Sequence, residues 1–331
     1  VIHVRRLAQT TSLVLGTGYV LFFFSERLFW SLWRPGDDIG TYGATWFVYA
    51  FLGYLLLATI RLFRVRDLWA LFLAGAVFGW LVEGVYAMTM FGDASLPFPL
   101  TISWTGLAWH APISVVLGWY GLRRALQAGS IWPVLWLSLL VGAFWGFWAL
   151  GWGLETPPIV PDGGAFFIHA MLATLVLGAS QQLIGWGDPA NFRPSRPGLI
   201  LTIGVVLAFF GFVTLPAIPW SPLLIIPLLS LVFFALRRNR AQEKGSDALA
   251  QLAAPVPLLH LVGLACIPVA ATAIYAGFNA IGFLPPIHQI VCAVTTLAGF
   301  VLFPIAVFKL SARDRGGSEP LDRQLVPCQP Q

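Results

Sequence analysis

Charged residues are what this sequence has least of. They make up 10% of its 331 residues, against 58% hydrophobic residues, and the mean hydropathy is +0.81. Soluble domains carry roughly a quarter charged residues. A water-soluble globule of this length has too much surface to hide so much apolar side chain, which excludes a soluble fold and implies a bilayer as the solvent. Lysine is nearly missing, with Lys244 and Lys309 alone, so arginine supplies almost all of the positive charge. The net charge of +5 comes from arginines scattered in small groups between apolar runs. That scatter excludes a nucleic-acid partner, which needs a concentrated basic face.

Other absences narrow the field further. The cysteines Cys266, Cys292 and Cys328 form no CxxC and no even framework, so neither a disulfide scaffold nor a cysteine metal site is implied. There is no Walker-type phosphate loop, no dinucleotide fingerprint and no HExxH. Lys309 closes an apolar run and Lys244 lies in a loop, which argues against a buried retinal Schiff base. Nothing resembles a carbonyl selectivity filter or the arginine ladder of a voltage sensor. No internal repeat emerges either.

What is present is a series of long apolar runs. A spanning helix needs roughly 20 mostly apolar residues. Ten segments qualify: 12–33, 44–63, 68–92, 101–122, 130–152, 164–186, 197–217, 220–237, 255–281 and 286–310. The weakest boundary is the Pro-rich stretch from Pro216 to Pro222, with Trp220 inside it. The chain starts at Val1, which fits a literally translated GTG start or a truncation. Arg5 and Arg6 before an apolar run resemble a signal peptide. The run is long, aromatic and ends in no small-residue cleavage site, so it reads as a retained first helix.

The basic residues test the count, because connections should alternate in Lys/Arg content. Arg5 and Arg6 precede the first span; Arg61, Arg64 and Arg66 follow the second; Arg123 and Arg124 follow the fourth. Arg193 and Arg196 follow the sixth, Arg237, Arg238, Arg240 and Lys244 the eighth, and Lys309, Arg313, Arg315 and Arg323 the last. The intervening connections carry Asp37, Asp38, Asp93, Glu155 and Asp162, with Arg27 and Arg34 as the exceptions. The expected fold is therefore all-α: a polytopic membrane bundle of about ten helices, both termini cytoplasmic, in a cell membrane of bacterial inner-membrane type. Composition divides it into a six-helix half (1–196), a four-helix scaffold (197–311) and a flexible cytoplasmic tail (312–331). All 15 tryptophans lie between Trp30 and Trp220, while Pro268 and Pro304 fall inside the last two spans as sites of a kink.

Ionisable groups inside a membrane are costly and mark functional sites by default. Glu83, in the third span, shares a helical face with Phe72, Ala76, Gly79, Ala87 and Met90, flanked by Tyr86. Gly75 and Gly79 make that face suited to close packing. His110, in the fourth span, shares its face with Ser103, Gly106, Ser114, Leu117 and Gly121. Each lies about nine residues from the connection at 92–100, so at a rise of 1.5 Å per residue both sit roughly 14 Å below the outer surface. Equal depth on neighbouring antiparallel helices predicts a Glu83–His110 hydrogen bond. His169, in the sixth span, joins them as a third candidate for catalysis, proton relay or metal ligation. Two histidines on separate helices also suit a haem, so metal and cofactor stay open.

Glu26, Arg27 and Glu155 fall in the same outer half and read as interfacial charges reaching water. Tyr86, Trp145 and Trp148 are candidate substrate contacts, although an aromatic stripe such as that of the tryptophans is more often packing or a lipid contact. Three readings follow: a proton-coupled transporter of a small or lipophilic substrate, a membrane-embedded enzyme acting on a lipidic substrate, or a non-catalytic subunit in which the same residues are polar locks. The expected partners are the lipid bilayer and a small or lipidic substrate.

Overall fold

Asp67 shows how the spans begin. Its carboxylate accepts from the backbone N–H groups of Trp69 and Ala70 at 2.9 and 3.0 Å, satisfying two donors that the first helical turn leaves unpaired. Asp38, Asp162, Ser195 and Asp247 cap other helices in the same way. In a protein with so few charges, several acids are spent on helix starts. The Thr41 N–H holds the Asp38 carboxyl below its ordinary value.

The structure, a computed structural model, describes residues 2–29, 36–92, 106–241 and 246–312. Every element among them is helical. We number the long helices α1 (Ile2–Phe22, extended by a wide turn Phe23–Arg27), α2 (Ile39–Phe63), α3 (Leu68–Leu81, extended by a wide turn Val82–Tyr86) and α4 (Gly106–Gly121, continued by Leu122–Leu126). There follow α5 (Trp132–Gly151), α6 (Gly163–Trp186), α7 (Arg196–Phe209, continued to Ala217), α8 (Ser221–Ala241), α9 (Leu258–Gly263 and Cys266–Ala280) and α10 (Ile287–Ala312). Among the described residues nine helices are long and apolar enough to cross a membrane. The protein is an all-α, multi-pass membrane protein. The remaining expected span, 101–122, begins outside the described residues, and its described part is helix α4. The expected tail also lies outside them, apart from Ala312.

Prolines explain the irregular places. Pro268 has no N–H and its ring crowds the carbonyl four residues back. That carbonyl belongs to Leu264, and α9 breaks at Leu264 and Ala265, where tight three-residue bonds replace the helical ones. Pro112 sits inside α4, which is wound in the wide π form. Pro304, by contrast, is carried within an unbroken α10.

The chain forms two compact units, each assembled from three stretches. The first comprises 1–50, 117–188 and 254–294. Its interior is aromatic: Trp145, Trp148, Trp152 and Phe166 are all fully buried. Helices α5 and α9 pack backbone to backbone, because a Cβ on Gly146 would come within 2.5 Å of the Ala271 carbonyl oxygen. Helix ends are closed by side chains. Arg123, with no exposed surface, donates to the Gln181 carbonyl at 2.6 Å, and His260 Nδ1 donates to that of Leu126 at 2.8 Å.

The second unit comprises 51–116, 189–253 and 295–331. Its most enclosed helix is α3, with 83% of its most apolar stretch buried, against 17% for α7. The exposed face of α7 carries Ile200 and Phe212, and α8 carries Leu223. Large apolar side chains turned outward fit a hydrocarbon solvent. At the α2–α3 connection, Arg61 donates to Asp247 at 2.7 Å and to the carbonyls of Pro189 and Ala190. Val65 O accepts the Ala248 N–H, holding the short helix Ala248–Gln251 in place.

Candidate functional site

The site of interest lies in the second unit, where α3 stops being regular. From Val82 the helix widens into a π-type turn that carries Glu83. Such turns arise where a helix must re-aim side chains, often at functional positions. The chain then reverses through Met88, which adopts the left-handed conformation with φ of 60°, and a tight turn over Thr89–Phe91. This reversal brings Thr89 back over the helix end, where its hydroxyl donates to Glu83 Oε2.

His110 approaches from α4. Its Nε2 lies 2.5 Å from Glu83 Oε1. The Phe78 ring meets the imidazole edge-on, with centroids 5.8 Å apart. The approach depends on Gly79: a Cβ there would stand 2.8 Å from Gly106 Cα, from Gly106 O and from His110 Cβ. Gly75 makes the next such contact, against Ala111. The Gly75–Gly79 face expected from the sequence is thus the seam along which α3 and α4 touch. Gly79→Leu is expected to overpack that seam, costing about 1–3 kcal/mol and parting His110 from Glu83. Thermal unfolding in detergent measures the first effect and the imidazole NMR signals the second.

The three polar groups run from inside to outside. His110 is 0% exposed, Glu83 is 6% exposed and Thr89 is exposed. An imidazole and a carboxylate joined by one hydrogen bond share a proton, so ion pair and neutral pair carry the same net charge of zero. A second proton or the loss of the first leaves a net charge in an apolar surrounding.

The other sequence candidates have different partners. The Tyr86 ring, half-buried, stacks on Phe209 of α7 with centroids 4.5 Å apart. His169 belongs to the first unit, where it is buried beside Trp145 at 5.9 Å. Trp145 also meets Phe23 and Phe166 edge-on. Trp148 stacks on His288 at 4.1 Å and donates to the Phe29 carbonyl. Glu26 accepts from the Tyr49 hydroxyl at 2.8 Å, and the buried Arg27 lies 3.9 Å over the Tyr42 ring. Glu155 sits 3.8 Å from His288.

No family model, no curated protein and no solved structure matches this chain. Chemistry alone therefore speaks for the site. Among the described residues no group of three His, Cys, Asp or Glu side chains is placed to hold a metal. Glu83 and His110 form a two-membered centre with Thr89 as its hydroxyl partner. Sequence reading missed Thr89, six residues after Glu83. Its one visible signal was a hydroxyl residue near the end of the apolar run 68–92, which also contains the acid.

Proposed function

We propose that this protein is a proton-coupled membrane transporter and that Glu83 and His110 are its proton-binding centre. The supporting observation is the graded chain from His110 through Glu83 to Thr89, an exposed residue whose hydroxyl donates to Glu83. A hydroxyl both donates and accepts, so Thr89 passes a proton between solvent and carboxylate by rotating. Intramembrane Glu and His residues in such chains are the usual parts of proton relays. The positive-inside pattern orients this centre toward the outer face, with both termini cytoplasmic. Each partner is engaged by the other, which suits storing a proton more than attacking a lipidic substrate.

Infrared difference spectra of the purified protein, titrated between about pH 5 and 9, test the centre directly. A carboxylic-acid carbonyl band that is lost in Glu83→Gln and displaced in His110→Ala is expected. A pH-independent spectrum would sink the proposal. Proteoliposomes loaded with the pH dye pyranine then test coupling, with ethidium and rhodamine 6G as probe substrates. Dye movement should follow an imposed pH gradient in the wild type and fail in Glu83→Gln. Thr89→Val is expected to slow proton uptake at a stability cost of about 0.5–1.5 kcal/mol, the range for one hydrogen bond. Thr89→Ser restores the rate, because only the hydroxyl matters.

A further inference from the structure

The second unit holds another concavity. A cavity of about 540 Å³ is lined by Arg61, Arg64, Arg66, Arg193, Arg240 and Asp247, among others. Five arginines thus face one acid among its lining residues. They come from three separate stretches of chain: the end of α2 with the connection that follows it, the segment before α7 and the end of α8. Topology requires positive charge in each connection, but it does not require the three to converge on one hollow. Like charges brought together repel, and the repulsion is relieved by an anion.

The members have different roles. Arg61 is held by Asp247 and two backbone carbonyls, so it builds the wall. Arg66 is buried. Arg64, Arg193 and Arg240 are exposed around the rim. Arg64 adopts φ of 50°, a left-handed backbone that a glycine takes without strain.

A second cleft adjoins the first and shares Arg240. It is lined by Phe63, Phe233, Phe234, Arg237 and Arg240, and Phe63 stacks on Phe233 at 5.6 Å. Planar guanidinium groups bind phosphate oxygens in pairs, while aromatic rings beside them suit a hydrocarbon chain. We propose that the arginine cavity binds a phosphate group, and that the adjoining aromatic cleft makes an anionic membrane lipid its source. This site is separate from Glu83 and His110 and does not rest on the transport reading.

The test uses the full-length protein in neutral detergent, titrated with dioleoyl-phosphatidylglycerol, dioleoyl-phosphatidylcholine and inorganic phosphate. Native mass spectrometry reads bound mass, and thermal unfolding reads stabilisation. Saturable binding of phosphatidylglycerol is expected, stronger than that of the zwitterionic lipid. Arg193→Gln and Arg240→Gln, both on exposed positions that leave the fold intact, should each weaken it about fivefold, the effect of one arginine near an anionic lipid surface. Arg64→Gly should weaken binding while raising the melting temperature of the lipid-free protein, because the strain is gone. Inorganic phosphate binding with the same arginine dependence, and no gain from the lipid, would overturn the lipid source and keep the phosphate site. Phosphatidylglycerol binding that is unchanged in all three variants, or no binding of either phosphate species, would overturn the site itself.

Discussion

His110→Ala is expected to destabilise the protein by about 3–5 kcal/mol, the cost of removing one partner of a buried charge pair. The imidazole is fully buried and its Nε2 holds Glu83 Oε1 at 2.5 Å. Removing it leaves a buried carboxylate with Thr89 as its hydroxyl partner and a hole where the ring was. Glu83→Gln should behave differently. The amide keeps the shape and can still meet both His110 and the Thr89 hydroxyl, so the variant is expected to fold with a melting temperature close to wild type. It cannot hold the shared proton, so proton-linked movement should disappear.

This split separates a proton centre from a lock. A lock predicts that Glu83→Gln, which preserves hydrogen bonding, retains whatever activity the protein has. Unfolding monitored by tryptophan fluorescence, beside the pyranine assay, makes the comparison. The double variant should cost less than the sum of the two singles, with a coupling of about 0.5–3 kcal/mol, because the residues touch. Strict additivity would mean that the pair is not formed in the membrane.

Trp148→Ala is expected to cost about 3–5 kcal/mol as well, the range for deleting a buried aromatic side chain. Trp148 has no exposed surface, and its ring stacks on His288 and meets Phe29 edge-on. Trp148→Phe is the informative companion. It keeps a ring in the stack and loses the N–H that donates to the Phe29 carbonyl at 2.8 Å. That carbonyl also accepts from Trp152 Nε1 at 2.6 Å, so it stays satisfied. The loss should then be about 0.5–1.5 kcal/mol. Were the tryptophan stripe a substrate surface, Trp148→Ala would leave the protein folded and change substrate movement alone. A melting temperature near wild type in that variant would therefore restore the stripe as a binding surface.

Much of the architecture was legible because hydropathy is a local property. A run of 20 apolar residues spans a bilayer whatever its neighbours do. The expected segments 44–63, 164–186 and 286–310 correspond to Ile39–Phe63, Gly163–Trp186 and Ile287–Ala312. The break near Pro216–Pro222 falls between α7 and α8, where clustered prolines withhold backbone N–H donors. The meeting of Glu83 and His110 was legible for a similar reason. Equal spacing on either side of one short connection places two residues at one depth.

What the sequence alone determined is a chain of membrane-spanning helices with a buried acid and a buried imidazole level with each other. Tertiary structure decided which groups meet. His169 was a third candidate, nearer the end of its span, and it is packed beside Trp145 in the first unit, while Gly79 lets His110 reach Glu83. Thr89 joins them through a left-handed turn at Met88, a residue with no intrinsic reason to adopt it. Five of the arginines that served as markers of topology gather around one cavity. Hydrophobicity sorts residues between lipid and water one segment at a time. Partners across helices are chosen by close packing of small-residue faces, a property of two surfaces that no single run of sequence contains.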